Sequence, residues 1–204
     1  AKKLFSWGKR SAEHFKKVVT GKTEVVITGS PRFDNFLRQV SESGEKDGNS
    51  QKLGVFTNPI DDQGFCTKTE KLMLFESFIR RSADHLNSRG ITLGIKCHPR
   101  EDLSEYLDIA SKHISRCEAL SENIREAIME VDAGVIMAST VGLELLGAKR
   151  PIAQMEIPGF GYVFDYTDDL AMVEIPVEGS FSLDSLFENN VDLTYFQEHV
   201  EGEG

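Results

Sequence analysis

The sequence predicts an α/β protein built on a parallel sheet with helices on both faces, preceded by a smaller βαβα unit. The first observation is that short β-rich apolar runs alternate with segments of helical period along most of the chain. The second is that glycine and proline stand where these segments begin or end. Alternation of strand and helix is typical of βαβ units, whose helices cover both faces of a buried sheet.

The first 40 residues are predicted to form the small βαβα unit. Its elements are the strand LFSW, the helix SAEHFKKVV, the strand EVVITG and the helix PRFDNFLRQV, with Pro31 in the first turn of that helix. A unit of this size cannot bury a core alone, so we expect it to pack on another part of the protein. Residues 41–52, SESGEKDGNSQK, are polar and contain Gly and Ser, which predicts a linker.

Residues 53–204 are predicted to form the larger domain. The predicted order is strand LGVFTN, helix KTEKLMLFESFIRRSADHLNSRG, strand ITLGIKC, helix EDLSEYLDIASKH, helix ENIREAIMEV, strand AGVIMA, helix TVGLELLGAK and strand PIAQM. Gly90 ends the first helix, and Asp102 or Ser104 can cap the second. Beyond them we predict a long loop at EIPGFGYVFDYTDD pinned by aromatic packing, a strand at LAMVEIPV, and short helices at LDSLFEN and DLTYFQEHV.

Composition and charge exclude several classes of function. The net charge of -10 argues against nucleic acid as a partner. No apolar run approaches the ~20 residues of a membrane span, and no secretory signal opens the chain. Three cysteines without C-x-x-C spacing argue against a disulfide framework or zinc site, so we expect reduced thiols. We also expect no metal and no cofactor. The chain begins without Met, and we expect the natural protein to be longer.

Charge is distributed unevenly along the chain. Residues 1–38 hold nine Lys or Arg against three acidic residues, whereas residues 151–204 hold twelve acidic residues and no Lys or Arg. The two regions could pair, the basic one could line an anionic site, or both could be solvated faces. The sequence leaves these alternatives open.

Small, polar or cationic residues follow four predicted strands. Ligands of open parallel sheets bind beyond the carboxyl ends of the strands, so these residues are candidates for a binding site. They are Gly29 and Ser30 in the small unit, and Asn58, His98, Pro99, Arg100, Ser139 and Thr140 in the larger one. Together they suit an anionic ligand that bears hydroxyl groups.

Each candidate has a functional and a structural interpretation. His98 can donate to a phosphate oxygen or neutralise charge on a leaving phosphate, and Arg100 offers a planar fork for phosphate. The Ser139 and Thr140 hydroxyls can bind phosphate or cap the helix that follows. Glu144, one turn into that helix, can accept from sugar hydroxyls or be a surface or capping residue. No P-loop, G-x-G-x-x-G, H-E-x-x-H or G-x-S-x-G motif is present.

The order of these motifs resembles a known class of enzymes. WGKRSAEHF, VVITGSPRFDNF, the linker, GVFTNP, IKCHPRED and DAGVIMASTVGLELLGAKRPIAQ together resemble bacterial GT-B glycosyltransferases of the capsule, sialic-acid and teichoic-acid polymerase type, from about Leu4 to Gln154. The non-hydrolysing UDP-N-acetylglucosamine 2-epimerases have a similar layout. The resemblance implies that residues 53–204 are a Rossmann-like, nucleotide-donor-binding GT-B C-terminal half and residues 1–40 the end of an N-terminal GT-B domain.

The resemblance also implies roles for individual residues. His98-Pro99 matches a motif that contacts the donor phosphate, and His98 is the expected catalytic residue, stabilising the departing phosphate without a metal. Ser139-Thr140 matches a phosphate-binding pair, and Glu144 an acidic residue that meets the ribose. Gly29-Ser30 matches a glycine-containing turn that faces the cleft.

The implied function is binding of a CMP-, CDP- or UDP-linked sugar or polyol-phosphate donor for synthesis of a surface polysaccharide. The alternatives are a UDP-N-acetylglucosamine 2-epimerase and a non-catalytic Rossmann-like ligand-binding or interaction domain. Most of an N-terminal acceptor domain is absent from the chain, so we expect donor binding but little transfer without that partner domain. We expect a cytoplasmic location, with parts outside this chain able to place it at the inner face of the membrane.

Overall fold

The computed structural model describes residues 2–42, 51–163, 172–188 and 191–201. Two compact units are present, one built from residues 1–45 and 192–204 and the other from residues 46–191. The elements in chain order are β1 (Lys2–Ser6), α1 (Lys9–Val18), β2 (Thr23–Ile27), α2 (Pro31–Glu42), β3 (Lys52–Phe56), α3 (Lys68–Arg89), β4 (Thr92–Lys96), α4 (Leu103–Ser111), β5 (Cys117–Ala119), α5 (Ile124–Glu130), β6 (Ala133–Ile136), α6 (Val141–Gly147), β7 (Ile152–Met155), β8 (Met172–Ile175), α7 (Leu183–Glu188) and α8 (Thr194–Val200).

The larger unit is a six-stranded sheet in the order β5-β4-β3-β6-β7-β8. Every pair of neighbouring strands is parallel. Parallel strands need crossover connections, and helices supply most of them here. The predicted α/β class with a Rossmann-like parallel sheet is therefore confirmed.

One face of this sheet carries the main apolar core. Alternate residues of the central strands, such as Val55, Ile95 and Val135, are fully buried in one cluster with Phe75 and Tyr106 from the helices. Alternation along a strand sends the intervening residues to the opposite face. The helices α3 and α4 thus cover one side of the sheet.

Three glycines in register form the opposite face of the central strands. Gly54 pairs with Gly94 on one side and with Gly134 on the other. A Cβ built on Gly134 would lie 2.4 Å from Leu145 of α6. Side chains at these positions would collide with their neighbours, so the glycines allow α6 to pack closely against the sheet.

The long helix α3 begins and ends at residues that suit each terminus. Its N-cap Thr67 accepts from the Glu70 backbone N–H, and the Glu70 carboxylate accepts in return from the Thr67 N–H at 2.7 Å. Its C-cap Gly90 has φ +65°, a left-handed conformation that glycine adopts without a steric penalty. The predicted stop at Gly90 is confirmed.

The smaller unit joins β1, α1, β2 and α2 to the last helix, α8. Strands β1 and β2 pair in parallel. The Phe33 and Phe196 rings meet edge to face at 5.3 Å between centroids, and the Ser30 N–H donates to the Val200 carbonyl at 2.9 Å. Residues from Asp192 onward therefore belong with this unit, whereas the sequence analysis placed them in the second domain.

Three short regions differ from the predicted elements or lie outside the described part of the chain. Strand β5 was not predicted, because it has three residues, none of them buried, at the edge of the sheet. Most of the predicted linker, residues 43–50, lies outside the described residues, as do residues 164–171 of the predicted loop and strand. Within the described ranges, no helix is long and apolar enough to cross a membrane.

Candidate functional site

The candidate site lies at the carboxyl ends of three adjacent strands, β4, β3 and β6. Phe56 pairs with Lys96 on one side and with Ile136 on the other, so the three strands end level. Asn58, His98 and Ala138 each follow two residues beyond these partners. Because strands are about 4.8 Å apart, the loops after β4 and β6 are roughly 10 Å from one another, with the loop after β3 between them.

Asn58 ties the end of β3 to the end of β6. Its side-chain Nδ2 donates to the Ala138 carbonyl at 2.7 Å and lies 3.5 Å from the Gln63 Oε1. The sequence analysis assigned Asn58 to substrate binding. In the structure, the amide holds two loops of the site together.

Glu101 ties the end of β3 to the loop that follows β4. The Thr57 hydroxyl donates to Glu101 Oε2 at 2.6 Å, and the His98 backbone N–H donates to the same oxygen at 3.2 Å. The carboxylate therefore fixes the peptide that carries the candidate histidine. Sequence reasoning did not select Glu101, although it stands three residues after His98 in the quoted motif.

A buried lysine of α3 contacts the Glu101 carboxylate. Lys71 Nζ, on α3, donates to Glu101 Oε1 at 2.8 Å and to Asp61 Oδ1 at 2.6 Å. The Tyr106 hydroxyl donates to the same Oε1 at 2.6 Å. The side chains of Lys71 and Glu101 are each only 3% exposed, so this is a buried, charged and hydrogen-bonded network.

The pKa values of this network follow from its partners. Burial would raise the pKa of Glu101, but the hydrogen bonds from Lys71, Thr57 and Tyr106 and the lysine charge outweigh it and hold this pKa below its ordinary value. Burial would lower the pKa of Lys71, and its two carboxylate partners raise it instead. The pair is therefore ionised at neutral pH, with two opposite charges that compensate each other.

The ring of His98 is oriented by the backbone of its own loop. The Arg100 N–H donates to His98 Nδ1 at 3.2 Å. An Nδ1 that accepts a hydrogen bond carries no proton, so in the neutral ring Nε2 carries it and is the donor. The side chain is partly exposed. A partly exposed N–H donor at a strand end is suited to an anionic ligand.

The other residues of the His98 loop are on the surface. Pro99 and Arg100 are exposed. The Arg100 guanidinium lies 3.1 Å from the Asp62 carboxylate, and both side chains are more than half exposed. Arg100 pairs across the site with the loop that follows β3, so a phosphate would have to compete with this carboxylate for the guanidinium.

The turn after β6 has an unusual backbone conformation. Ala138 has φ +42°, which L residues with a Cβ rarely adopt. This bend brings Ser139 and Thr140 to the start of α6. The Ser139 hydroxyl accepts from the Val141 N–H at 3.3 Å, which is the capping role considered from sequence, while the Thr140 side chain is exposed and makes no cap bond.

Glu144 is buried within α6, only 4% exposed, despite its charge. It is not the surface residue that one interpretation of the sequence allowed. Helix α6 has seven residues, so its macrodipole is small and any anion contact here would depend on side chains and individual N–H groups.

Gly29 and Ser30 lie in the smaller unit, at the turn between β2 and α2. Gly29 has φ +74°, and Ser30 is 2% exposed. The structure thus brings Asn58, His98, Pro99, Arg100, Ser139, Thr140 and Glu144 into one unit, with Gly29 and Ser30 in the other.

Of the comparisons with known proteins, only the one with solved structures finds similar chains. No protein-family model matches the chain, and no curated protein matches it. Wall teichoic acid polymerase TagF is similar at 15% identity with a TM-score of 0.43, over 83% of this chain and 43% of that one. WaaG, a glycosyltransferase involved in lipopolysaccharide biosynthesis, is similar at 15% identity with a TM-score of 0.41, over 91% and 51%.

A third similar structure is Thermosulfurimonas dismutans KpsC, a beta Kdo 2,7 transferase, at 16% identity with a TM-score of 0.45, over 96% of this chain and 73% of that one. The chain spans about half or less of the TagF and WaaG chains. Likeness at this level of identity concerns the fold.

Proposed function

We propose that the larger unit binds the phosphate groups of a nucleotide-activated sugar or polyol-phosphate donor at the ends of β4, β3 and β6. The observation that carries this proposal is the His98 loop, in which the backbone orients the ring so that Nε2 is the donor. The Asn58 and Glu101 hydrogen bonds hold the neighbouring strand ends in place. A preformed site of this kind loses little entropy when a ligand binds.

The proposed chemistry is the departure of a nucleotide in the synthesis of a surface polysaccharide. As the bond between the donor group and the nucleotide phosphate breaks, negative charge grows on the phosphate oxygens. A hydrogen bond from His98 Nε2 would stabilise that charge more strongly than the ground state, which is how such a donor accelerates transfer. Thr140, exposed beside the turn, offers a hydroxyl to the same anion.

Ser139 and Glu144 have supporting roles in this proposal. The Ser139 hydroxyl holds the Val141 N–H and so keeps the first turn of α6 in place. The buried Glu144 is proposed to accept from a ribose hydroxyl, which requires the ligand to reach the inner side of α6. The role of Gly29-Ser30, in the smaller unit, stays a prediction from the sequence resemblance.

Isothermal titration calorimetry with CMP, CDP and UDP tests the proposal. The protein is expected to bind at least one of these nucleotides, and His98→Ala is expected to weaken that binding about ten-fold or more, because a hydrogen bond to a charged group is removed. Thr140→Val, which keeps the shape and removes the hydroxyl, should give a smaller loss. His14→Ala, which removes an exposed histidine of the smaller unit, is the matched control and should change nothing.

The outcomes separate the alternatives. Absence of heat with every nucleotide would favour a non-catalytic interaction domain. Binding that His98→Ala leaves unchanged would place the nucleotide elsewhere and overturn the assignment of the site. UDP-specific binding by a longer chain that interconverts UDP-N-acetylhexosamines would identify an epimerase instead.

A further inference from the structure

One stripe of α3 changes from apolar to cationic along its length. Glu70, Met73, Leu74 and Ser77 are followed by Arg80 and Arg81, at spacings of three and four residues that place them on one side of a helix. The buried side of α3, which includes Phe75 and Phe78, faces the core instead. Leu74 also packs against the core and Arg81 lies over the Phe181 ring, whereas Met73 and Arg80 are exposed.

The apolar part of the stripe borders a cavity of about 310 Å³. Phe65, Leu74, Pro158 and Val177 line it from three loops and the helix. Met73, also in its lining, is 63% exposed. Exposed apolar side chains gathered at one cavity, rather than scattered singly, indicate a surface that a ligand covers.

Phe160 extends the same apolar surface. Its ring meets that of Phe65 edge to face at 5.0 Å between centroids, yet it is 56% exposed. The turn that carries it is closed by the bridge between Ile157 and Gly161, so the ring is held in place beside the cavity.

A second cavity, of about 440 Å³, is lined by the two arginines and Glu76. Met73 and Ser77 line both cavities. From Met73 to Arg80 the helix rises about 10 Å, since each residue adds about 1.5 Å. We call these two cavities, which share part of their lining, the track: the first is lined mainly by apolar side chains and Glu70, and the second contains both arginines.

The two arginines differ in their surroundings. Arg80 is exposed and has no ion-pair partner among residues 2–42, 51–163, 172–188 and 191–201. Arg81 donates to the carbonyls of Pro176, Val177 and Gly179, which bind the guanidinium without neutralising it. Glu76 also lines this part, and its carboxylate lies 3.6 Å from His113 Nε2.

We infer that this track, from Met73 to Arg81, binds an anionic amphiphile, with its alkyl chain in the apolar cavity and its phosphate or carboxylate head at Arg80 and Arg81. Local charge complementarity selects this class, because an anionic head is attracted to the Arg80 guanidinium, which is exposed, and to that of Arg81, whose hydrogen bonds go to neutral carbonyls. A neutral apolar ligand would leave the arginine-lined cavity unused.

The test titrates dodecyl phosphate into the protein below the concentration at which this detergent forms micelles. Binding is followed by calorimetry and by the NMR signal of the methionine methyl group of Met73. We expect saturable binding that shifts this methyl signal. Dodecyl maltoside, with the same chain and a neutral head, and inorganic phosphate, with no chain, should each bind at least ten-fold more weakly.

Two variants, each with a control, test the shared wall of the cavities and the cationic part of the track separately. Ser77→Phe fills the shared wall of the two cavities and should abolish binding, whereas Ser88→Phe, on an exposed position of the same helix, should not. Arg80→Glu should weaken dodecyl phosphate about five- to ten-fold and leave dodecyl maltoside unchanged. Arg116→Glu, an exposed arginine outside the track, makes the same change of net charge and should have no effect.

Several results would overturn the inference. These are no saturable binding of dodecyl phosphate, binding that Ser77→Phe leaves intact, and equal affinity for the two detergents. A change in oligomeric state caused by Ser77→Phe, measured by sedimentation, would assign the track to a second copy of the chain instead. Because the variants leave His98 unchanged, the nucleotide titration above is independent of each of these results.

Discussion

Replacement of Lys71 by methionine tests the buried network beneath the candidate site. Methionine keeps the length and helix propensity of lysine but removes the ammonium group that contacts Glu101 and Asp61. The Glu101 carboxylate, 3% exposed, would keep its bonds from Thr57, Tyr106 and the His98 N–H but lose its compensating charge. Removal of one partner of a buried ion pair costs about 3–5 kcal/mol.

The expected loss for Lys71→Met is near the lower end of that range, about 3 kcal/mol at pH 7. The three remaining hydrogen bonds still stabilise the Glu101 carboxylate, and Asp61 is 18% exposed, so water can screen it in part. A domain of this kind has a free energy of unfolding of about 5–15 kcal/mol, so the loss is a large fraction of the total. Urea unfolding followed by circular dichroism measures it.

The pH dependence of the loss identifies its cause. Without the lysine, the largest contribution that opposes burial is lost, so the pKa of Glu101 rises above its wild-type value, the carboxyl group protonates at a higher pH and the penalty diminishes as the pH falls. The difference between Lys71→Met and the wild type should therefore be smaller at pH 5 than at pH 7. The double variant Lys71→Met/Glu101→Gln, which removes both charges, should recover most of the lost stability.

Lys68→Met is the matched control for this experiment. Lys68 stands three residues earlier on α3, its side chain is 58% exposed, and it pairs with Glu105 at 2.7 Å. Loss of an exposed pair costs at most about 1 kcal/mol. Equal effects of the two substitutions, or a Lys71→Met loss below about 1 kcal/mol that does not change with pH, would refute the account of a buried charge network.

Three further substitutions have definite expectations. Gly134→Val should lower the free energy of unfolding, measured by urea denaturation, by about 1–3 kcal/mol or more, because its Cβ would lie 2.4 Å from Leu145. At Gly21 nothing lies within 4 Å of an added Cβ, so any cost of Gly21→Val would come from its φ of +85°. Gly90→Ala should cost about 1–2 kcal/mol through its left-handed φ of +65°, as chemical denaturation would show. Glu101→Gln should make the free energy of unfolding less dependent on pH in the acid range. The lowered pKa of Glu101 stabilises the folded protein above the unfolded pKa of about 4.3. That stabilisation is lost as the pH falls through the folded pKa, and the variant lacks it. An unchanged acid profile would remove Glu101 from the groups responsible.

Much of the fold could be predicted because local signals mark its elements. Buried parallel strands are short apolar runs, as at β6, and α3 has both a capping box and a terminal Gly90. Strand β5 escaped prediction because its residues are at the sheet edge, where neither face is buried. The grouping of α8 with the smaller unit depends on Phe196 and Glu198, whose partners are more than 150 residues away in the chain. No local pattern encodes such a contact.

For the candidate site, the sequence predicted the position in the sheet but not the hydrogen-bond partners of its side chains. The rule that ligands meet the carboxyl ends of parallel strands selected His98 and Asn58, and the sheet order makes their strands adjacent. The rule could not show that Asn58 uses its amide to hold Ala138, since hydrogen-bond partners depend on side-chain orientation. The buried position of Lys71 was not predicted either, because a lysine in an amphipathic helix is ordinarily exposed.

Two hydrogen bonds within one loop fix the position of the His98 imidazole. Glu101 accepts the His98 N–H while the Arg100 N–H holds the His98 ring, so peptide and imidazole are each fixed by a separate bond within the same short loop. The carboxylate is in turn held by Lys71 from α3, and the helix is fixed by the core. An imidazole held this way needs little reorganisation to donate to an anion, which is the condition under which an electrostatic contact contributes most to catalysis. In the proposed donor site, the buried pair of Lys71 and Glu101 would act on donor binding through the position of His98, so Lys71→Met should weaken nucleotide binding even under conditions where the variant is fully folded.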